Sequence, residues 1–201
     1  MPLEQTAALR TPGRAAVVNS IGVILFGSYP CQRGYSATMS VTDEYLKNNE
    51  AYASSFTGPL PLPPSKHVAV VACMDARLDV YRVLGLGDGE AHVIRNAGGV
   101  ITDDVIRSLC VSQRLLGTRE IILLHHTDCG LQKVTDDAFK AELEAELGIK
   151  PWWALESFSD PFGDTAQSIR RLQQTPFVPH RDHIRGFVYD VDHGSLTEVE
   201  P

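Results

Sequence analysis

An α/β fold with a central, mainly parallel sheet is what these 201 residues predict, and three observations carry the prediction. Short runs of β-branched and apolar residues recur along the chain, too short for helices and too apolar for strands exposed on one face. Helix-length amphipathic stretches alternate with them, which indicates crossover units and a sheet covered on both faces. No internal repeat or low-complexity tract interrupts the alternation, and the length suits one domain with a substantial core.

Residues 1–40 stand outside that pattern. They set Arg10, Arg14 and Arg33 against a single acid, Glu4, among many Ala, Ser, Thr and Gly, with no sustained period. This composition resembles an organelle transit peptide, and Arg33-Gly34-Tyr35-Ser36 looks like the cleavage context of mitochondrial presequences. Met39 serves equally well as the start of a shorter cytoplasmic protein, and a disordered tail fits the composition too. The folded domain is therefore taken as 41–201, in the cytoplasm or the mitochondrial matrix.

From Val41 a helix begins, with Thr42 as its N-cap and Tyr45, Leu46 and Tyr52 forming a weak apolar stripe over 42–53. Such a helix needs a partner. Residues 58–64, with four prolines, run extended into the first strand. Strands follow at Val68–Cys73, 92–95, 120–125 and 186–191. Helices are expected at 78–84, Asp103–Leu116, Asp136–Leu147 and 165–174, the last containing Ile169 and Leu172. Cys110 falls in an amphipathic helix and reads as packing.

Composition excludes several functions. The net charge is −7, and no basic stripe is present to follow a phosphate backbone, so nucleic acid is not an expected partner. No apolar run reaches the ~18 to 20 residues of a membrane span; 15–26 is broken by Asn19, Ser20 and Gly22. Four cysteines are too few for a disulfide scaffold and point to a reducing compartment. A small-molecule substrate remains.

The first strand ends in Cys73-Met74-Asp75-Ala76-Arg77 and the third in His125-His126-Thr127-Asp128-Cys129-Gly130. Both motifs thus lie at strand C-terminal ends, the edge of a parallel sheet where ligands bind. Two thiolates and an imidazole suit zinc, and three ligands leave an open position of the catalytic kind. Successive strand residues face opposite ways, so His125 and His126 cannot both join Cys129; His126 is chosen because His-x-x-Cys brings both side chains onto one tight turn. Asp75 and Arg77, two apart, form a bidentate pair that keeps the carboxylate ionised beside the metal as a proton acceptor. Asn96-Ala97-Gly98-Gly99 follows the second strand at the same edge, where two glycines let backbone approach a small substrate.

Together, Cys73-x-Asp75-x-Arg77, Arg95-Asn96-Ala97-Gly98 and His126-x-x-Cys129-Gly130 resemble the β-class carbonic anhydrases, particularly the compact archaeal and mycobacterial members. Asp104-Val105-Ile106-Arg107-Ser108 and the stretch 185–191 look similar as well, and the likeness runs from about Met39 to the end. The resemblance implies a four-stranded parallel core and one zinc per subunit on Cys73, His126 and Cys129. It implies a dimer, or a tetramer of dimers, whose N-terminal helix packs on its neighbour. It also implies reversible hydration of carbon dioxide to bicarbonate and a proton through a zinc-bound hydroxide, with Asp75 and Arg77 as the catalytic pair. In some members the aspartate closes the metal as a fourth ligand. The glutamine that plant-like members carry ahead of the first strand has no equivalent in 61–67. Carbonyl sulfide hydrolases of the same fold share Cys-Met-Asp-Ala-Arg-Leu-Asp and Asn-Ala-Gly-Gly-Val, so carbonyl sulfide is the alternative substrate; a non-catalytic zinc module is a second alternative. With two thiolates the metal is less acidifying than a three-histidine site, so activity should rise through mildly alkaline pH. His67, His92 and His125 are available as proton relays, with no assignment among them.

Overall fold

The computed structural model describes residues 40–201, which fall into two units, 40–57 and 58–201. The transit-peptide-like reading and Cys31 fall on 1–39, outside the described residues. In the first unit, α1 (Val41–Ser55) is capped by Ser40 and not by Thr42. The Ser40 hydroxyl accepts from Asp43 N at 3.1 Å while the Asp43 carboxylate accepts from Ser40 N at 2.9 Å, a reciprocal closure that leaves Thr42 inside the first turn. α1 buries none of its residues, and Tyr45, Leu46 and Tyr52 are exposed.

The second unit is built on one sheet of β1 (Val68–Cys73), β2 (Ala91–Asn96), β3 (Glu120–His126), β4 (Ile184–Tyr189) and β5 (Leu196–Val199), in the order β2-β1-β3-β4-β5. The first four strands are parallel, as expected. β5 adds an antiparallel edge on β4 that the sequence did not announce, because two exposed polar residues between two partly buried apolar ones make no apolar run. β2 corrects another expectation: paired only with β1, it is an edge strand and only partly buried. β4 starts two residues earlier than expected and stops at Tyr189, where the Asp190 carboxylate accepts from Asp192 N and His193 N and turns the chain, leaving Val191 outside.

Helices α2 (Val80–Leu84), α3 (Asp103–Leu116), α4 (Asp136–Leu147) and α5 (Pro161–Gln174) fill the connections. α2 begins after Leu78, which is fully buried, because Asp79 caps it by accepting from Arg82 N. α5 begins four residues before 165, where Asp160 caps it and Pro161 takes the first position that tolerates a missing N–H.

Alternation along β1 and β3 divides the core. Ala69, Val71, Ile121 and Leu123 pack with Val105 and Leu109 of α3 and Ile169 and Leu172 of α5. Val70, Ala72 and Leu124 pack on the other face with Leu78, Val80 and Leu131. The chain leaves β1 toward β2 on one side and returns to β3 on the other, so the order reverses at β1, the switch point where open parallel sheets bind ligands. No helix among the described residues is long and apolar enough to cross a membrane.

α5 lies so close to β4 that a Cβ on Gly186 would collide with Thr165 Cγ2 and come within 2.9 Å of Ile169 Cδ1. Gly186→Ala should therefore cost about 1–3 kcal/mol by overpacking, read as a lower urea midpoint. Thr165→Ser in the same background, which removes the struck methyl, should restore part of it; an unchanged midpoint for the single variant would mean that α5 lifts from the sheet freely.

Candidate metal centre

The register sets Ala72 beside Leu124, so Cys73 at the end of β1 and His126 at the end of β3 emerge next to each other. Beyond His126 the chain turns through Asp128, whose φ is 54°, and brings Cys129 back. Aspartate is among the few residues that adopt this left-handed conformation readily. Cys73, His126 and Cys129 are all buried, with one ligand atom of each within 4.8 Å of the others.

The ring of His126 is oriented by its neighbour. Nδ1 lies 2.7 Å from the Thr127 carbonyl, which only accepts, so Nδ1 carries the proton and the Nε2 lone pair faces the sulfurs. Nε2 is buried and has no hydrogen-bond partner among the described residues. A buried imine nitrogen beside two thiols fits a borderline-soft divalent cation, and the Thr127 carbonyl is the second-sphere acceptor such a ligand uses.

The thiols share a proton unequally. A hydrogen bond from Cys129 brings Cys73 down to about 4 against the effect of burial, while the same bond, followed by burial, pushes Cys129 up. A cation between them would deprotonate both. For His126, burial favours the neutral ring, but Cys73, the Thr127 carbonyl and Asp75 outweigh it and raise the pKa.

Asp75 and Arg77 form the expected bidentate pair: Arg77 Nε donates to Oδ1 at 3.0 Å and Nη2 to Oδ2 at 2.8 Å. Arg77 holds the Asp75 carboxyl well below the usual carboxylate range. Asp75 Oδ2 stands 3.7 Å from His126 Nε2, beside the three ligand atoms.

Three further residues complete the site. Arg77 Nη1 also donates to Asp128 Oδ2 at 2.8 Å, and Lys133 Nζ is 2.7 Å from Asp128 Oδ1. Lys133 first and Arg77 second lower Asp128 to about 2. From β2, Arg95 donates to the carbonyls of Cys73 at 2.9 Å and Asp75 at 2.7 Å, pinning the backbone of the first ligand. Sequence reasoning gave none of these a role, although Arg95 and Asp128 lie inside the motifs.

Asn96, Ala97, Gly98 and Gly99 lie against β1, with the Asn96 carbonyl accepting from Met74 N at 2.8 Å. Gly98 and Gly99 have φ of 81° and 74°, and a Cβ on Gly99 would stand 2.8 Å from Cys73 N. Gly99 is therefore required by close packing on the first ligand's strand, and Gly98 by its positive φ and by Leu131, whose Cδ1 a Cβ would approach to 2.6 Å.

Of the relay candidates, His67 and His92 sit near the opposite, N-terminal end of the strands, bonded to the Gly117 carbonyl and to Ser112 Oγ. His125 faces away from the thiols, as expected, and donates from Nε2 to Asp164 of α5 at 2.7 Å. Cys110 stands apart on α3.

Fold and site define the class: an α/β protein with a buried Cys-His-Cys set, able to hold a metal, at the switch point of a parallel sheet. A family model described as carbonic anhydrase matches residues 68–157. The chain is 65% identical over 163 residues to beta-carbonic anhydrase 1 of Mycobacterium tuberculosis, spanning 81% of this chain and 100% of that one. It is 35% identical over 156 residues to a carbon disulfide hydrolase of Acidithiobacillus thiooxidans, spanning 67% and 78%. The crystal structure of carbonic anhydrase from Streptococcus mutans superposes with a TM-score of 0.76 at 44% identity, over 81% of this chain and 99% of that one. The chain belongs to the β-carbonic anhydrase family.

Cys73→Ser or Cys129→Ser should abolish metal retention through desalting, because an alcohol is not the deprotonated soft donor such a site selects. Cys110→Ser should retain a full complement. Equal loss in all three, measured by elemental analysis, would refute this ligand set.

Proposed function

We propose that the protein catalyses the reversible hydration of carbon dioxide to bicarbonate and a proton, with one zinc ion per subunit on Cys73, His126 and Cys129. The observation that carries this is the buried Nε2 of His126, facing two thiols with the Asp75–Arg77 pair alongside. Its support from outside is the 65% identity to a protein named beta-carbonic anhydrase 1.

Zinc in such a set acidifies water and so supplies a nucleophile near neutral pH. The protein's own groups do the rest. Arg77 keeps Asp75 ionised, and Asp75 Oδ2, 3.7 Å from His126 Nε2, accepts a hydrogen bond from the attacking water and so orients its lone pair toward carbon. The same carboxylate is near enough to the ligand atoms to become a fourth ligand in a closed state. Asn96, Ala97, Gly98 and Gly99 form the backbone wall against which carbon dioxide is held.

A substrate with sulfur in place of oxygen is the second reading, since a relative 35% identical is named carbon disulfide hydrolase. Carbonyl sulfide belongs to this class. An intact Asp75–Arg77 pair beside the ligands argues for catalysis over a structural zinc module.

A second copy of this chain is the proposed partner, in a dimer or a tetramer of dimers. α1 supports this, since it buries nothing and exposes Tyr45, Leu46 and Tyr52.

Purified zinc-loaded protein should show a larger kcat/KM on carbon dioxide than on carbonyl sulfide or carbon disulfide, rising through mildly alkaline pH at constant ionic strength. A larger value on either sulfur compound would replace the first reading with the second. Removal of residues 1–57 should lower the assembly state in sedimentation velocity, and an unchanged oligomer would assign α1 another role.

A further inference from the structure

Arg77 engages more than Asp75. Its guanidinium has five N–H groups in a rigid planar fork. Nε and Nη2 hold Asp75 at 3.0 and 2.8 Å, while Nη1 reaches Asp128 Oδ2 at 2.8 Å and Nη2 also reaches the Asp128 carbonyl at 3.0 Å. One side chain therefore ties the segment that follows Cys73 and β1, with Asp75, to the turn after β3, where Asp128 stands between His126 and Cys129. An arginine held by Asp75 alone could swing with it as a unit, whereas a fork held on both sides has one orientation. Asp128 is itself fixed twice, by its left-handed φ of 54° and by Lys133 Nζ at 2.7 Å on its other oxygen.

We propose that Asp128 is a positioning residue: acting through Arg77, it fixes the Asp75 carboxylate relative to His126 and joins the two ligand-bearing segments into one frame. The effect on turnover rests on the reading of this site as a carbon dioxide hydratase; the effect on the metal frame does not.

The competing account is an ordinary surface ion pair, and it makes a different prediction. The side chains of Arg77, Asp128 and Lys133 are 46%, 51% and 62% exposed, and pairs so exposed contribute little to stability. If Asp128 acts by orientation, its removal changes site properties while global stability stays where it was.

Asp128→Gly keeps the left-handed backbone and removes the carboxylate; Asp128→Asn keeps the backbone and an acceptor for Arg77 Nη1. Four quantities are read in the zinc-loaded full chain: zinc release to a chromogenic chelator, kcat and KM for carbon dioxide taken separately, and the thermal midpoint. Asp128→Gly should release zinc about tenfold faster and lose about tenfold in kcat, the usual scale for outer partners of a metal site. KM and the midpoint should stay near wild type, and Asp128→Asn should recover most of both losses. Wild-type zinc release and kcat in Asp128→Gly would overturn the proposal, as would equal losses in the two variants accompanied by a fallen midpoint. Wild-type protein that holds zinc but does not hydrate carbon dioxide would overturn the functional reading instead, and zinc release would still decide the role of Asp128.

Discussion

The parallel pairing of β1 with β3 is the constraint on which the rest depends. Because Ala72 lies beside Leu124, the last residues of the two strands, Cys73 and His126, reach the same edge of the sheet, and donors from distant parts of the sequence meet without any long loop to carry them. Both strands are buried on both faces, so their ends are held by the core and not by the site. That rigidity lets a short turn such as Thr127–Cys129 place a second thiol accurately. The flanking strand contributes as well, since Arg95 of β2 grips the two carbonyls on either side of Met74.

Electrostatics at the site is layered by exposure. Cys73, His126 and Cys129 are buried, where a sulfur–imidazole set is protected from competing water. Asp75 is 19% exposed and stands at the boundary; Arg77, Asp128 and Lys133 form the wet outer layer. Charge thus alternates outward from the ligands, carboxylate, guanidinium, carboxylate, ammonium, so that no carboxylate lacks a cation to keep it ionised.

The ligand set was legible in the sequence because its logic is local. Cys73 closes an apolar run, His-x-x-Cys closes another, and strict alternation separates His126 from His125; each of these needs only strand geometry. What escaped depends on contacts across the fold. Asp128 reads as a turn residue until Arg77 is seen reaching it from 51 positions away, and Arg95 reads as an edge charge until β2 is known to flank β1. β5 escaped for want of apolar pattern, and the early start of α5 because Pro161 reads as a breaker unless Asp160 is recognised as its cap. For α1, Thr42 reads as the cap, and only the reciprocal bond between Ser40 and Asp43 moves the helix start ahead of it.

β3 is written in doublets: Ile121-Ile122, Leu123-Leu124, His125-His126. Each face of the strand thus receives one isoleucine, one leucine and one histidine, and a slip by a single residue would exchange two nearly equivalent faces. Side-chain burial, which ordinarily makes such an error costly, discriminates poorly here. The ends of the strand must supply the discrimination. At its start, Arg119 N and Glu120 N both donate to the His67 carbonyl, at 2.7 and 3.3 Å. At its finish, one histidine must meet Asp164 and the other the two thiols. A cation gathered by Cys73, His126 and Cys129 would therefore proofread the alignment of the strand, since the slipped arrangement cannot bring the same three donors together.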